Sequence, residues 1–363
     1  MNGRMSRRQF GTRSGQVVAL MGAGALVRGA TGTGRRERLR IGQIGTQHSH
    51  AAGKLAAILK YPDEYEVVGV VEPDEARREA LKNTVPYRGQ RWLTEKELLS
   101  TAGLRAVAVE TGIEDLVPTA MRCLKAGLNL HVDKPAGTSL EACRAMHQLA
   151  AERGLIIQMG YMLRYNPAFQ FARRIVREGW LGEITEVSGM MGKYADDTTR
   201  RELAAFSGGG LFELACHLVD QVVDLLGAPL KVTSYARRTF PDKDSFADNQ
   251  LAVLEYAKAL AEIRCNHIDP MGGDRRQFSI TGTQGTFEIR PLEPQPRGRL
   301  GLDRARGNFV KGYQDVPFER PSGRYDEEFL DLGRVLRGEK KFEWSGSHDV
   351  ATHETVLRAS GMM

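Results

Sequence analysis

The chain has 363 residues, 41% of them hydrophobic, and a formal net charge of +6, so it carries enough apolar material for two cores. Arg4, Arg7, Arg8, Arg13 and Arg28 supply most of that charge, and no acid falls in the first 30 residues. The rest of the chain is close to neutral, which argues against nucleic-acid binding, since that requires a basic patch on the folded part.

Ser6-Arg7-Arg8-Gln9-Phe10 matches the twin-arginine export pattern, and an uncharged segment follows over residues 14–27. That segment is shorter than the roughly 20 apolar residues that cross a bilayer. Ala23, Ala25 and Ala30 offer small residues for cleavage. Residues 1–30 are therefore expected to be a signal peptide read by the twin-arginine (Tat) machinery. The mature protein is then periplasmic or otherwise exported, with no membrane span.

From Leu39 the chain alternates strand and helix. Leu39–Ile44 reads as a strand, and Ala51, Leu55, Ile58 and Leu59 recur at helical spacing. Residues 67–71 form a second strand, and Asp74 can cap the helix after it. Residues 105–110 form a third strand; Pro118 suits the first turn of the next helix and Gly127 its end. Residues 130–133 are a fourth strand. Thr138 and Glu141 have the spacing of a capping box, and residues 155–159 are a fifth strand. This alternation predicts an α/β half with a parallel, doubly wound sheet over 39–161.

Beyond Arg164 the strands follow one another: 183–190, 230–237, 250–256, 259–266, 276–281 and 286–290. A single helix, 211–226, interrupts them, and two helices, 327–336 and 348–360, close the chain. Residues 162–363 are thus expected to be an α+β domain with a mostly antiparallel, open sheet, whose free face offers a surface for a homo-oligomer. Cys123, Cys143, Cys216 and Cys265 are widely spaced and lie in helical or strand patterns, so they read as small buried hydrophobes.

The loop Gly45-Thr46-Gln47-His48-Ser49-His50 follows the first strand, where a doubly wound sheet binds the phosphates of a ligand. A full G-x-G-x-x-G would need glycine at 45, 47 and 50, and only Gly45 is present. Glu72, ending the second strand, is placed to accept hydrogen bonds from an adenosine ribose or to cap the next helix. Its charge favours NAD over NADP. His48 and His50 also form an H-x-H pair, but at a loop–helix junction the two side chains are expected to diverge. No further ligand set is seen to converge with them, so no metal is expected. His50 filling space near the first helix is the remaining reading.

A glycine run, Gly208-Gly209-Gly210, leads into Glu213-x-x-x-His217-x-x-Asp220. Glu213 and His217 at i, i+4 share a helix face, and a histidine beside a carboxylate suits a general base; a solvated pair on a surface helix is the plain alternative. Asp133-Lys134-Pro135 ends the fourth strand, where Pro135 turns the chain and presents Lys134.

Taken together, Asp133-Lys134-Pro135, Arg164-Tyr165-Asn166-Pro167, Glu213-x-x-x-His217 and the turn Gly282-Thr283-Gln284-Gly285-Thr286 resemble the Gfo/Idh/MocA oxidoreductases, over roughly Leu39 to Gly361. The resemblance implies a Rossmann domain, a substrate domain and a nicotinamide cofactor, NAD with NADP as the alternative. It implies a sugar, polyol or cyclitol as small-molecule substrate. Lys134 would polarise the reacting hydroxyl, His217 would take its proton, and Glu213 would orient His217 or hold a neighbouring hydroxyl. Gly45, Thr46, Gln47, His48, His50, Glu72, Thr111, Asp133 and Lys134 would lie along the cofactor. Tyr161, Arg164, Tyr165 and Asp220 would border the substrate. The departures are the two lost glycines, the acids at 133 and 213, each exchanged for its homologue, and Leu116 where many members carry histidine. The function expected is hydride transfer with a tightly bound cofactor. A glycosidase or lyase working by transient sugar oxidation, or a cofactor-free carbohydrate-binding or scaffold relative, are the alternatives.

Overall fold

The computed structural model describes residues 37–205 and 207–363, and the expected signal peptide lies outside them. Strands β1 (Leu39–Ile44), β2 (Tyr65–Val71), β3 (Leu104–Val109), β4 (Asn129–Val132) and β5 (Ile157–Met159) form one parallel sheet in the order β2-β1-β3-β4-β5. Helices α1 (Ala51–Leu59), α2 (Glu75–Leu81), α3 (Glu95–Leu99), α4 (Ile113–Lys125) and α5 (Leu140–Glu152) connect the strands. Ile41, Ile44, Val107, Ala108, Val109, Leu130 and Val132 are all buried. A parallel sheet covered on both faces has no solvent side, which is why consecutive residues such as Ala106–Val109 are apolar. Strand order reverses around β1, so a crevice opens at the carboxyl ends of β1 and β3.

Asp74 caps α2 as expected, accepting from the Arg77 amide at 3.1 Å. Two local expectations are corrected. The cap of α5 is Ser139, which accepts from the Ala142 amide at 3.2 Å, so the Thr138–Glu141 box does not form. Pro118 lies inside α4, not in its first turn.

Past β5, a short 3-10 turn over Met162–Tyr165 leads into α6 (Pro167–Arg177). The second sheet contains β6 (Ile184–Gly192), β7 (Lys231–Arg237), β8 (Asn249–Glu255), β9 (Leu260–Asn266), β10 (Gln277–Gly282), β11 (Gly285–Ile289), β12 (Arg297–Leu302) and β13 (Gly312–Pro317). Their order is β13-β12-β11-β10-β6-β9-β8-β7, antiparallel except for β6 beside β9. Burial alternates along β8 and β9: Gln250, Ala252 and Leu254 face in with Ala261, Ile263 and Cys265. This is the pattern of a sheet covered on one face. All four cysteines are free and buried.

Helices α7 (Asp197–Ala204), α8 (Gly209–Glu213) and α9 (Cys216–Leu226) lie between β6 and β7. The single helix expected over 211–226 is therefore two. The amides of Leu214 and Ala215 both bond to the Gly210 carbonyl at 2.9 Å, and this shared acceptor breaks the regular ladder between Glu213 and Cys216. Glu213 and His217 sit on successive helical segments, not on one face.

Two helices finish the chain, α10 (Asp326–Leu336) and α11 (Gly346–Ala359). The first returns to the parallel sheet: the Tyr65 hydroxyl donates to the Phe329 carbonyl at 2.5 Å, and Lys54 on α1 pairs with Glu328. No helix among the described residues is long and apolar enough to cross a membrane.

Candidate active site

The loop after β1 begins with a glycine that nothing else can replace. Gly45 has φ +90°, and a Cβ there would lie 2.6 Å from the Thr111 nitrogen. Positive φ and close approach each select glycine. The two side chains that stand in place of the other glycines are both tethered. Gln47 accepts from the Gly112 amide at 3.0 Å, and His50 Nδ1 lies 3.1 Å from Asp133 Oδ2.

Glu72 ends β2, buried, with Oε2 accepting from the Thr46 amide at 3.2 Å and Oε1 from the Asp74 amide at 3.0 Å. A carboxylate has about four lone-pair directions, so acceptor capacity remains. Arg77, which the sequence reading passed over, donates to the Thr46 carbonyl at 2.6 Å and to its hydroxyl at 2.8 Å. Its guanidinium lies 3.8 Å from Glu72 and offsets part of that charge. Thr111 supports the loop through the backbone beneath Gly45. A strand, a glycine turn, a helix start and an acid at the end of β2 fit a dinucleotide: α1 would hold the diphosphate and Glu72 the ribose.

His48 and His50 do not diverge. Their ring centroids are 4.8 Å apart, and both reach Asp133 at the end of β4. The expectation that no ligand set converges on this pair is corrected: His48, His50 and Asp133 bring three ligand atoms within 4.8 Å of one another.

Lys134 is not presented at the surface. It is 1% exposed, and its ammonium donates to the Glu213 carbonyl at 2.7 Å. The end of β4 and the end of α8 therefore meet. An ammonium has three donors, so two remain for a ligand. Glu213 is mostly buried, and burial alone would raise its pKa. The charges of Lys134 and Lys193 outweigh that and pull it down to about 2, so it is a fixed anion. His217 is 2% exposed, and its Nδ1 has no hydrogen-bond partner among the described residues. Burial, then the Lys134 charge, holds its pKa well below the ordinary value, so the ring is neutral and keeps a lone pair. The Tyr161 ring stands edge-on to it at 6.0 Å.

Arg164 and Asp220, expected beside a substrate, are buried and paired with each other. Arg164 Nη2 lies 2.6 Å from Asp220 Oδ1 and 2.6 Å from Asp349 Oδ1, all without solvent access, and its guanidinium rests on Tyr161 and Trp344. This ion triad locks the Met162–Tyr165 turn to α9 and α11. The Tyr165 hydroxyl is bonded to Gln158 and Asp331. Tyr165 also lines a cavity of about 810 Å³ with Met162, Arg276, Glu293, Arg324 and Glu327. Lys134, Glu213 and His217 do not line that cavity. Arg324 links the two places, because it lines the cavity and its charge also depresses the His217 pKa.

Lys54, Glu110 and Glu328 form a buried layer of ionisable groups behind the site that the sequence reading missed. Burial and the Asp133 charge raise the pKa of Glu110 well above the carboxylate range. The Tyr325 ring covers both Lys54 and His50. A signal was available for Lys54: it sits on the apolar stripe of α1 among Ala51, Leu55 and Ile58, where a lysine requires a partner.

The family profile described as an oxidoreductase family with an NAD-binding Rossmann fold matches residues 39–161, and that of the GFO/IDH/MocA C-terminal domain matches residues 169–288. Among curated relatives, the NAD(+) scyllo-inositol 2-dehydrogenase of Bacillus subtilis is 26% identical over 263 residues, 71% of this chain and 74% of that one. The uncharacterised oxidoreductase YhhX of Escherichia coli is 28% identical over 191 residues, 53% of this chain and about half, 54%, of its own length. Among solved structures, GenD2 from gentamicin A biosynthesis, in complex with NAD, superposes with a TM-score of 0.72 at 22% identity, covering 90% of this chain and 94% of that one. The WlbA dehydrogenase of Bordetella pertussis, in complex with NADH and UDP-GlcNAcA, gives 0.71 at 18% identity, covering 90% and 97%. Those two likenesses carry the fold; the two matched profiles, in their own order along the chain, place it in the Gfo/Idh/MocA oxidoreductase family.

Proposed function

We propose that the protein transfers hydride between a nicotinamide dinucleotide and a hydroxyl or carbonyl carbon of a sugar or cyclitol. The observation that carries this reading is the meeting of Lys134 with Glu213, beside a neutral His217. When bound, the dinucleotide supplies the hydride acceptor. The remaining N–H groups of Lys134 hydrogen-bond the substrate oxygen and favour its alkoxide form. His217 takes the hydroxyl proton on its free ring nitrogen. Glu213, held as an anion, offers acceptors to a neighbouring hydroxyl. The cavity lined by Arg276 and Arg324 gives room for the rest of a polyol. Inositol dehydrogenases among the relatives support the substrate class.

The test uses inositols and aldoses carrying deuterium on their ring carbons, incubated with the full chain and NAD or NADP. Deuterium is expected at nicotinamide C4 with at least one of them, detected by mass. A protein that binds the dinucleotide yet transfers no label from any member of the panel contradicts the reading.

A further inference from the structure

We propose that His48, His50 and Asp133 form a binding site for a divalent first-row transition-metal cation. His48 Nε2 lies 3.1 Å from the carbonyl oxygen of Lys134. A carbonyl only accepts, so Nε2 carries the hydrogen. Its Nδ1 faces the backbone N–H of His50 across a long 3.3 Å contact, so Nδ1 carries a lone pair, which a bound cation would take in place of that N–H. Yet Asp133 Oδ2 lies 3.2 Å from that same Nδ1. Two acceptors face each other in a buried setting, and a positive centre between them resolves the conflict. His50 Nδ1 approaches the same oxygen at 3.1 Å.

The distances from Asp133 Oδ2 to the two Nδ1 atoms, 3.2 and 3.1 Å, suit a cation, and the three ligand atoms lie within 4.8 Å of one another. Metal–ligand bonds of about 2.1 Å put neighbouring ligand atoms roughly 3.0–3.4 Å apart. Two imidazole nitrogens and a carboxylate oxygen suit Zn²⁺, Fe²⁺, Co²⁺ or Mn²⁺. The bond from His48 Nε2–H to a backbone carbonyl is the usual outer partner of a metal-bound histidine, fixing tautomer and ring orientation. The charge balance agrees. Lys54 is matched by Glu328, and Lys134 lies against the anionic Glu213. Asp133 is left without a matched cation. His50, with 14% of its side chain exposed, leaves a path for the ion and coordination positions for water or a ligand oxygen.

The site goes beyond the hydride-transfer reading and is tested without it. The untagged full-length chain is stripped with a chelator and titrated with Co²⁺, following the visible absorption bands of the bound ion. One Co²⁺ per chain is expected, displaced by Zn²⁺. Alanine at His48 or at His50 is expected to weaken binding by at least tenfold, while Asp63→Asn, at an exposed carboxylate outside the ligand set, leaves it unchanged. Absence of a one-to-one spectral change in the wild-type chain overturns the proposal without any variant. So does a folded His48→Ala/His50→Ala chain that binds Co²⁺ as the wild type does.

Discussion

Lys134→Met is expected to lower kcat by roughly 10²–10⁴, the range in which a positioned acid–base group contributes, and to leave dinucleotide affinity within a few-fold. Methionine keeps the length and apolar body of the lysine stem while removing all three N–H donors. The bond to the Glu213 carbonyl is lost, and with it the charge that helps hold Glu213 as an anion and His217 neutral. The substrate alkoxide then forms without a stabilising donor. Steady-state kinetics with the substrate found by deuterium transfer, together with dinucleotide titration, separate the two effects. A variant with full turnover removes Lys134 from the chemistry; one that loses dinucleotide binding and turnover together makes it a cofactor ligand only.

Asp220→Ala is expected to destabilise the fold by about 3–5 kcal/mol, the cost of leaving a buried partner charge uncompensated, and to lower Tm by roughly 10 °C. The charge left behind is Arg164, which has no solvent access and is shared only with Asp349. Adding Arg164→Met to Asp220→Ala is expected to recover part of the loss, because no charge is then stranded. The acid side of the stability profile reports the same triad. Burial raises the pKa of Asp220, but Arg164 overrides it and brings it from 3.8 down to about 2. A carboxylate with a depressed folded pKa contributes stability that is complete above its unfolded value and lost as pH falls through the folded one. Thermal melts between pH 5 and pH 2 are therefore expected to show a shallower acid loss for Asp220→Ala than for the wild type. Equal melting temperatures at neutral pH would refute this account of the triad.

Much of the fold was legible because its strands are written in two periods. The unbroken apolar runs at 67–71 and 106–109 signal a sheet covered on both faces, and the alternation along 250–265 signals one covered face. β12 and β13 were not legible. Arg297-Gly298-Arg299 and Gly312-Tyr313-Gln314 have no strand-like composition, and they pair only because β11 supplies a partner edge. The break between α8 and α9 rests on one shared acceptor, the Gly210 carbonyl, which no periodicity announces.

The site divides along the same lines. Lys134, Glu213 and His217 were found from residue type and motif, and the structure brings them together. Arg164 and Asp220 were placed beside a substrate because a charged residue near a motif reads alike whether it meets a ligand or a buried partner. Here the deciding partner, Asp349, lies far along the chain on α11. The convergence of His50 on Asp133 spans 83 positions and depends on β3 lying between β1 and β4. Local spacing could only describe His48 and His50 as a diverging pair.

The central claim is that the loop at Gly45 holds a nicotinamide dinucleotide. Titrating the full chain with NADH and with NADPH, following nicotinamide emission, tests it most directly. Saturable binding of one dinucleotide per chain is expected for at least one of them. It should weaken by at least about tenfold, or 1.4 kcal/mol, in a folded Gly45→Val chain, whose side chain would meet the Thr111 backbone. Failure of the wild-type chain to bind either dinucleotide, or unchanged affinity in that variant, would contradict it.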